Sequence, residues 1–447
     1  NIAIDDLDRT NYFEDTVKGS DYLADQDSVE ILVNDSKIQI EFIENIDKIF
    51  DRNNDGEYSP KKFGGAITPR TLRASDSTGF SILNILYDQI LNSKVRIYED
   101  YQVLKLLTNN NQIVGFLGLN YNSINSNSIE LFSCKSLILA TGPSGYVFSN
   151  TTNSSSCTGD GIALAVSAGA KLKDMEFIQF HPTSLVNSNI LITEAARAKG
   201  AYLLNANGER FMKNYAPEQL ELAPRDIISR SMINEIIEGR SFSDLNEPYL
   251  HLSFTHFEEE FIKNNFNDIQ TISTEFANTD ITKDNLKIIP AQHYFMGGIS
   301  INNFAETNIK GLFAAGECAC VSVRGANRLG GNSLLECIVF GQIAGKHAAI
   351  HAKNSNKISI IDEESHISIF YKELTNRFTN SSSSNNLDIS SLRNDMRSIM
   401  TNYAGIIRDE DNINFGLKKI HNMKNLIYSN QFRSRSSNPS ISEISEF

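Results

Sequence analysis

The sequence is poor in cysteine, in basic residues and in long apolar runs, and each shortage argues against a class of protein. The five cysteines are odd in number, and none has Cys-x-x-Cys spacing, which argues against a disulfide framework or a zinc site. The formal net charge of −13 argues against a nucleic-acid partner. No stretch reaches the roughly 18 apolar residues that span a bilayer, and no signal peptide is visible. The chain also has no Gly-x-Gly-x-x-Gly loop.

The remaining composition and the order of elements predict an α/β protein. The chain has 447 residues, 40% of them apolar and 21% charged, which is typical of soluble globular chains with two to four domains. Twice, an apolar strand runs into a glycine-containing turn and then into an apolar helix. These units cover 136–142 with 161–167, and 311–316 with 333–349. This is the element order of nucleotide-binding α/β folds.

Periodicity predicts further elements outside these two units. Helical spacing is visible over 12–33, 80–92 and 392–403, and short strands are predicted over 94–98, 101–107, 113–120 and 128–133. Residues 50–57 begin like a calcium loop, but the twelfth position is Lys62 instead of a glutamate, which favours a polar turn in a β-hairpin. We therefore predict no metal site.

Several polar residues cluster in short spans that could carry chemistry. Thr158-Gly-Asp-Gly161 opens a predicted helix and suits either a phosphate or a simple cap. His181, Thr193, Glu194 and Arg197 bring a donor, a hydroxyl, a carboxylate and a cation together. Glu194 and Arg197 would share a helix face, as an ordinary ion pair also would.

Three arginines stand where a cation is unexpected. Arg225 follows Pro224 in a predicted first helical turn, where a cation opposes the helix dipole, so it either has a function or pairs with Asp226. Arg324 and Arg328 lie in an apolar, glycine-rich run, where an unpaired cation is costly. One of the two is expected to meet an anionic ligand. Histidine and arginine side chains converging on one place predict a dicarboxylate pocket.

Eight motifs together resemble the flavoprotein subunit of succinate dehydrogenase and fumarate reductase, in the family's order and at about its spacing. The similarity runs from residue 1 to about 425. The motifs are Thr16-Val-Lys-Gly-Ser-Asp21, Thr158-Gly-Asp-Gly161, His181-Pro-Thr183, Thr193-Glu194, Pro224-Arg-Asp226, His293-Tyr-Phe-Met-Gly-Gly298, Gly316-Glu317 and Gly325-Ala-Asn-Arg-Leu-Gly-Gly-Asn-Ser-Leu334.

The resemblance implies a role for each matching residue. His181, Thr193, His293 and Arg328 would bind the two carboxylates of succinate or fumarate. Arg225 would be the proton donor and acceptor, and Glu194 and Arg197 would relay the proton to solvent. The FAD would be held by Asp160 at its nucleotide, Glu317 at its ribityl or ribose hydroxyls, Ser333 and Leu334 at the isoalloxazine carbonyls, and Ala140, Thr141 and Gly142 on the adenosine side.

The resemblance also implies a domain layout. It is a Rossmann-like FAD-binding domain split into 1–180 and 297–352, an inserted α+β capping domain at 181–296, a helical C-terminal domain at 353–430 and a polar tail at 431–447. The family's usual Gly-x-Gly-x-x-Gly loop is not found, so we expect the first βαβ unit, and any upstream histidine bonded covalently to FAD, to be missing from this chain. Lys199 replaces a carboxylate of the family, which affects the outer end of the proton relay.

The implied function is succinate–fumarate interconversion, with electrons passing through an iron–sulfur subunit to or from quinone. Membrane anchor subunits would hold the complex on the inner face of the cell membrane, or on the matrix side in mitochondria. Two alternatives stay open. L-aspartate oxidase shares most motifs, although Met296 and the motif at Thr16 favour the first interpretation. A non-catalytic homologue without FAD, acting in assembly or binding, has no reason to keep every substrate-site residue.

Overall fold

The structure, a computed structural model, describes residues 1–3, 5–62, 66–74, 77–122, 128–244, 247–355, 368–370 and 389–429. Its main helices are α1 (Asp6–Gly19), α2 (Gln26–Ile46), α3 (Thr78–Leu91), α4 (Asp160–Ser167), α5 (Ala195–Ala198), α6 (Met212–Tyr215), α7 (Arg225–Ile237), α8 (Glu259–Asn265), α9 (Asn267–Ala277), α10 (Asn332–Asn354), α11 (Ile389–Tyr403) and α12 (Glu410–Ser429). Its strands are β1 (Tyr101–Asn109), β2 (Gln112–Asn120), β3 (Ser128–Ser133), β4 (Leu137–Leu139), β5 (Leu172–Lys173), β6 (Ile178–Leu185), β7 (Tyr202–Leu204), β8 (Phe242–Asp244), β9 (Glu247–Ser253), β10 (Leu286–Phe295), β11 (Gly298–Ser300), β12 (Leu312–Ala314) and β13 (Ala319–Cys320).

Two short parallel strands from distant parts of the chain organise the first unit, which we call the parallel-strand unit. Leu139 of β4 pairs with Ala314 of β12. The two strands share one hydrophobic core with α2 and α10, including Leu32 and Phe340. The antiparallel sheet β1–β2–β3 and the small sheet β13–β11–β5 also belong to this part of the molecule. Strand β12 is fully buried, whereas in β4 Leu139 is buried and Ile138 is 38% exposed. Both strands are short apolar runs in the sequence, as is usual in parallel sheets.

The chain between β5 and β11 forms a second unit, which we call the inserted unit (residues 178–295). Its antiparallel sheet has the order β6–β10–β9–β7, with β8 paired to β9. This sheet has a core of its own, which includes Leu252, Ile228 and Ile288. The two units are joined where residues 174–175 cross Gly297. A Cβ added to Gly297 would lie 2.3 Å from the carbonyl oxygen of Asp174. The boundaries 181–296 stay a prediction.

Two expectations about elements are wrong. Residues 94–98 are exposed and form no strand, because no described strand pairs with this apolar alternation. The helical pattern over 12–33 is two helices, since the backbone turns at Asp21 and Tyr22, both with positive φ. A new helix then starts where Asp25 accepts a hydrogen bond from the amide of Ser28. The hairpin expected near residue 55 agrees with an antiparallel bridge between Arg52 and Tyr58.

Helices dominate the described C-terminal part. Residues 389–403 and 410–429 form α11 and α12, while the predicted tail at 431–447 and most of 356–388 lie outside the described residues. Arg397 of α11 donates to the carbonyl oxygens of Phe148 and Ser149. These bonds join α11 to the loop that precedes α4. No helix in the described ranges is long and apolar enough to cross a membrane.

Candidate active site

Two neighbouring strands of the inserted unit bring His181 and His293 together. His181 on β6 pairs with Ala291 of β10, and the register shifts between Gln292 and Tyr294. This irregularity falls at His293, and such irregularities re-aim side chains. The two imidazole centroids lie 5.3 Å apart.

Both imidazoles are held in their neutral forms. Burial first, and then the charge of Arg225, lowers the pKa of His181 and of His293 well below 6.5. Nδ1 of His293 lies 2.8 Å from the hydroxyl of Thr152, and the amide of Thr183 donates to Nδ1 of His181 at 3.3 Å. A neutral imidazole with one nitrogen engaged has the other available to a ligand.

Arg225 begins α7 directly after Pro224, as the sequence predicts. Its Nε donates to the carboxylate of Glu194 at 3.2 Å, and its Nη1 donates to the amide oxygen of Gln179 at 3.0 Å. Asp226 instead accepts from Arg230 at 2.6 Å. The alternative of a simple Arg225–Asp226 pair is therefore wrong. The side chain of Arg225 is 16% exposed, and its charge is close enough to both histidines to lower their pKa values.

The structure separates the roles of the two arginines in the glycine-rich run. Arg324 is buried and pairs with Glu336, and it also donates to the carbonyl oxygens of Phe295 and Met296. Arg328 has no carboxylate within pairing distance among the described residues. Its Nη1 donates to the hydroxyl of Ser333 at 2.9 Å. Its Nε is buried without a hydrogen-bond partner in that part of the chain. Of the two, Arg328 is the cation left for an anionic ligand.

Gln179 was missed by sequence reasoning, although it connects the site. Its amide oxygen accepts from Arg225 and also from Nη2 of Arg328 at 3.1 Å, and its amide nitrogen donates to Asn327 at 2.7 Å. A signal was available, because alternate residues of a strand share a face. Gln179 is a buried polar residue two positions before His181.

The outer part of the site is only partly as expected. Arg197 is buried, and its Nη1 donates to the carbonyl oxygen of Glu221 at 2.6 Å. Its Nε and Nη2 lack partners among the described residues, and burial lowers its pKa to about 10. Thr193 lies beside Glu194, but its side chain is exposed. Lys199 points away from Arg197, since its ammonium donates to the carbonyl oxygen of Asn265.

A second group of predicted residues lies at the carboxyl ends of β4 and β12. Ala140, Thr141 and Gly142 follow β4, and Ala140 and Thr141 are exposed there. A Cβ on Gly161 would lie 1.9 Å from the hydroxyl of Thr141, so α4 can begin beside this loop only with glycine. Asp160, at the start of α4, accepts from Thr158. The carboxyl ends of parallel strands are where nucleotides bind in such folds.

The start of α10 and the turn after β12 form the adjoining surface. Glu317 accepts from the amide of Phe295 at 2.9 Å, and burial raises its pKa to about 7. Gly331 has φ of +82° and lets α10 start, so that Ser333 and Leu334 face a cavity of about 400 Å³. Leu334 is 40% exposed.

These residues fit a flat, phosphorylated cofactor such as FAD. No described side chain caps the start of α4 or of α10, and helix starts of this kind suit phosphate or carbonyl oxygens. The cavity is within the usual size range for ligand pockets. Of the residues predicted to hold the cofactor, Ser333 and Leu334 line this cavity. The hydroxyl of Ser333 also accepts from Arg328, so the cavity adjoins the cluster of histidines and arginines.

Comparisons with known proteins agree with this arrangement. A family model described as FAD binding domain matches residues 3–334. The succinate dehydrogenase flavoprotein subunit of Rickettsia bellii is 37% identical over 429 residues, which cover 92% of this chain and 70% of that protein. The 8-methylmenaquinol:fumarate reductase flavoprotein subunit of Wolinella succinogenes is 42% identical over 344 residues, which cover 76% of this chain and 56% of that protein.

A solved structure matches the fold along the whole of this chain. A flavoprotein chain of E. coli quinol fumarate reductase superposes with a TM-score of 0.92 and 29% identity, covering 100% of this chain and 78% of the other. The α/β fold predicted from the sequence is thereby confirmed. The chain belongs to the family of succinate dehydrogenase and fumarate reductase flavoprotein subunits, which are FAD-dependent oxidoreductases acting on CH–CH bonds.

Proposed function

We propose that this chain interconverts succinate and fumarate. The observation that carries the proposal is a pair of neutral imidazoles, 5.3 Å apart, beside two arginines that Gln179 bridges. Nε of Arg328 is buried and unpartnered among the described residues. Forked guanidinium donors match carboxylates in geometry and charge. A dianionic substrate would supply the missing partners.

The two ends of a dicarboxylate would meet different residues. Arg328 and His293 would hold one carboxylate, and His181 with the hydroxyl of Thr193 would hold the other. His181 and Arg328 are buried, so their contacts with the substrate would be shielded from water and thereby strengthened. Fixing both carboxylates also fixes the central carbon–carbon bond against Arg225.

Arg225 would exchange the proton at the substrate carbon, and Glu194 and Arg197 would carry it outward. The 3.2 Å contact between Nε of Arg225 and Glu194 supports the first step of this relay. The buried, partly unpartnered Arg197, whose pKa is about 10, supports the second, because burial makes its proton easier to release. Lys199 takes no part, since its ammonium is engaged at Asn265.

FAD supplies hydride-transfer chemistry when it is bound. The residues that would hold it are those at the ends of the two parallel strands and at the helix starts: Ala140, Thr141, Gly142, Asp160, Glu317, Ser333 and Leu334. The inserted unit would act as the capping domain that covers the substrate. The electron partner would be an iron–sulfur subunit, with anchor subunits placing the complex at the inner face of a membrane. The names of the relatives, which call them subunits and quinol reductases, support membership of a quinol-linked complex of several subunits.

The direct test is turnover by the purified protein after loading with FAD. We expect succinate to reduce an artificial dye, and fumarate to oxidise a reduced viologen. The Arg328→Met variant should lose both activities and keep its flavin. Lys287→Met is a matched control on strand β10, because that ammonium pairs with Asp244 on the outer surface. Oxidation of aspartate by oxygen without any reaction of succinate would contradict the proposal.

A further inference from the structure

Tyr294 is buried beneath the arginines of the site and has no role in the proposed chemistry. It follows His293 on β10 and is 5% exposed. The guanidinium carbon of Arg328 lies 4.2 Å from the centre of its ring, and that of Arg324 lies 5.1 Å away. The ring therefore contacts both cations of the glycine-rich run.

Of these two cations, only Arg328 lacks a charged partner among the described residues that could replace its interaction with the ring. Arg324 pairs with Glu336 and donates to several carbonyl oxygens, so its charge and its donors are satisfied. Arg328 donates only to the neutral oxygens of Ser333 and Gln179 in the described part of the chain. The electron-rich face of an aromatic ring attracts a cation most strongly where both are desolvated.

The hydroxyl of Tyr294 does not explain why the residue is there. It is buried and has no hydrogen-bond partner among the described residues. A buried hydroxyl without a partner is unfavourable. The interaction that the Tyr294 side chain contributes is therefore that of its aromatic ring with the arginines.

We propose that Tyr294 is a positioning residue, whose ring holds the Arg328 guanidinium in the orientation that receives a substrate carboxylate. The inference rests on the proposed function and adds a residue to it. Ser333 and Gln179 fix the terminal nitrogens of Arg328, and the ring fixes the plane of the group. Without the ring, Arg328 would keep its charge and lose its defined direction.

The test measures KM for fumarate in FAD-loaded variants whose side chain at position 294 has a similar shape but a different charge distribution on the ring. Tyr294→Phe keeps the ring, and we expect KM for fumarate within about twofold of the unmodified protein. Tyr294→pentafluorophenylalanine keeps the shape and inverts the charge distribution of the ring. Here we expect KM to rise about tenfold, which corresponds to about 1.4 kcal/mol, with kcat changed less than about threefold. Tyr294→Leu should behave like the fluorinated variant.

Tyr249→Leu is the matched control, because this residue is also a buried tyrosine under a cation, Lys287 at 4.9 Å, but lies away from the site. It should leave KM unchanged. Equal KM for the Phe and pentafluorophenyl variants would overturn the inference. If the unmodified protein neither binds nor reduces fumarate, the proposed function fails. A crystal structure of Tyr294→Leu then decides the inference, which an unmoved Arg328 guanidinium would refute.

Discussion

The net charge of the site is set by three arginines and by the few side chains that accept hydrogen bonds from them. Arg225, Arg328 and Arg197 are close enough for their charges to matter to His181, whose pKa they lower further. The carboxylate of Glu194 and the amide oxygen of Gln179 accept from Arg225 without neutralising the whole cluster. An excess of positive charge therefore remains, and a dianion would balance it.

Arg225→Lys should abolish turnover without loss of flavin. A lysine presents a single point charge and cannot reproduce the fork that meets Glu194 and Gln179 together. We expect kcat to fall by about 10²–10⁴, the usual contribution of a positioned acid or base. Dye-linked turnover and flavin absorbance measure the two effects. Arg230→Lys, in an exposed pair with Asp226, should stay within about twofold, and near-normal turnover by Arg225→Lys would remove Arg225 from proton transfer.

Glu317→Gln should change how the stability of the FAD-free protein depends on pH. The carboxyl has a pKa of about 7 when folded and 4.5 in its ordinary state, because it is buried. Between these values the folded protein holds a proton that the unfolded chain releases, so acidification from pH 7 to 5 stabilises the unmodified protein. Relative to Glu317→Gln the total gain between pH 7 and pH 5 is about 2 kcal/mol, because the folded carboxyl is already half protonated at pH 7. Urea unfolding at pH 7 and pH 5 measures it, and parallel behaviour of the two proteins would contradict the buried, protonated carboxyl.

The site is positioned by short helices and strands, and the places where these elements begin or shift register matter more than their lengths. The register shift in β10 falls at His293, and Gly159 and Gly331 precede the two helices at the proposed cofactor surface. The crossing between the inserted unit and the parallel-strand unit is also closely packed. At Gly297 the returning chain passes so close to residues 174–175 that no side chain fits.

Gly297→Ala should destabilise the protein by about 1–3 kcal/mol or more, the range for overpacking. The new methyl group would lie 2.3 Å from the carbonyl oxygen of Asp174 and 2.6 Å from the amide nitrogen of Met175, and both are backbone atoms that cannot move aside. Gly345→Ala is the control, because no other part of the described chain comes within 4 Å of a Cβ built at that position in α10. It should stabilise the helix by up to about 1 kcal/mol. Thermal unfolding compares the two, and an equal response would refute the tight crossing.

At the scale of the whole molecule, the sequence predicts what is local and ordered along the chain. The strand–turn–helix units and the start of α7 at Arg225 were predicted because their signals lie within a few residues. The different roles of Arg324 and Arg328 were not predicted, because they depend on the pairing of Arg324 with Glu336 in helix α10. The strand expected at 94–98 failed because a strand also needs a partner, which local alternation does not reveal. The bridge made by Gln179 joins residues 149 positions apart, beyond the reach of any spacing argument.

The bridge at Gln179 also bears on how such a protein can change during evolution. Gln179 and Arg225 belong to the inserted unit, and Arg328 belongs to the parallel-strand unit. A recombination that moved the inserted unit into another protein would carry the glutamine and both histidines, but would leave one of the two bridged cations behind. The recipient would gain a folded sheet and half of a binding site. The proposed substrate binding therefore needs both units to be kept together, even though each has its own hydrophobic core.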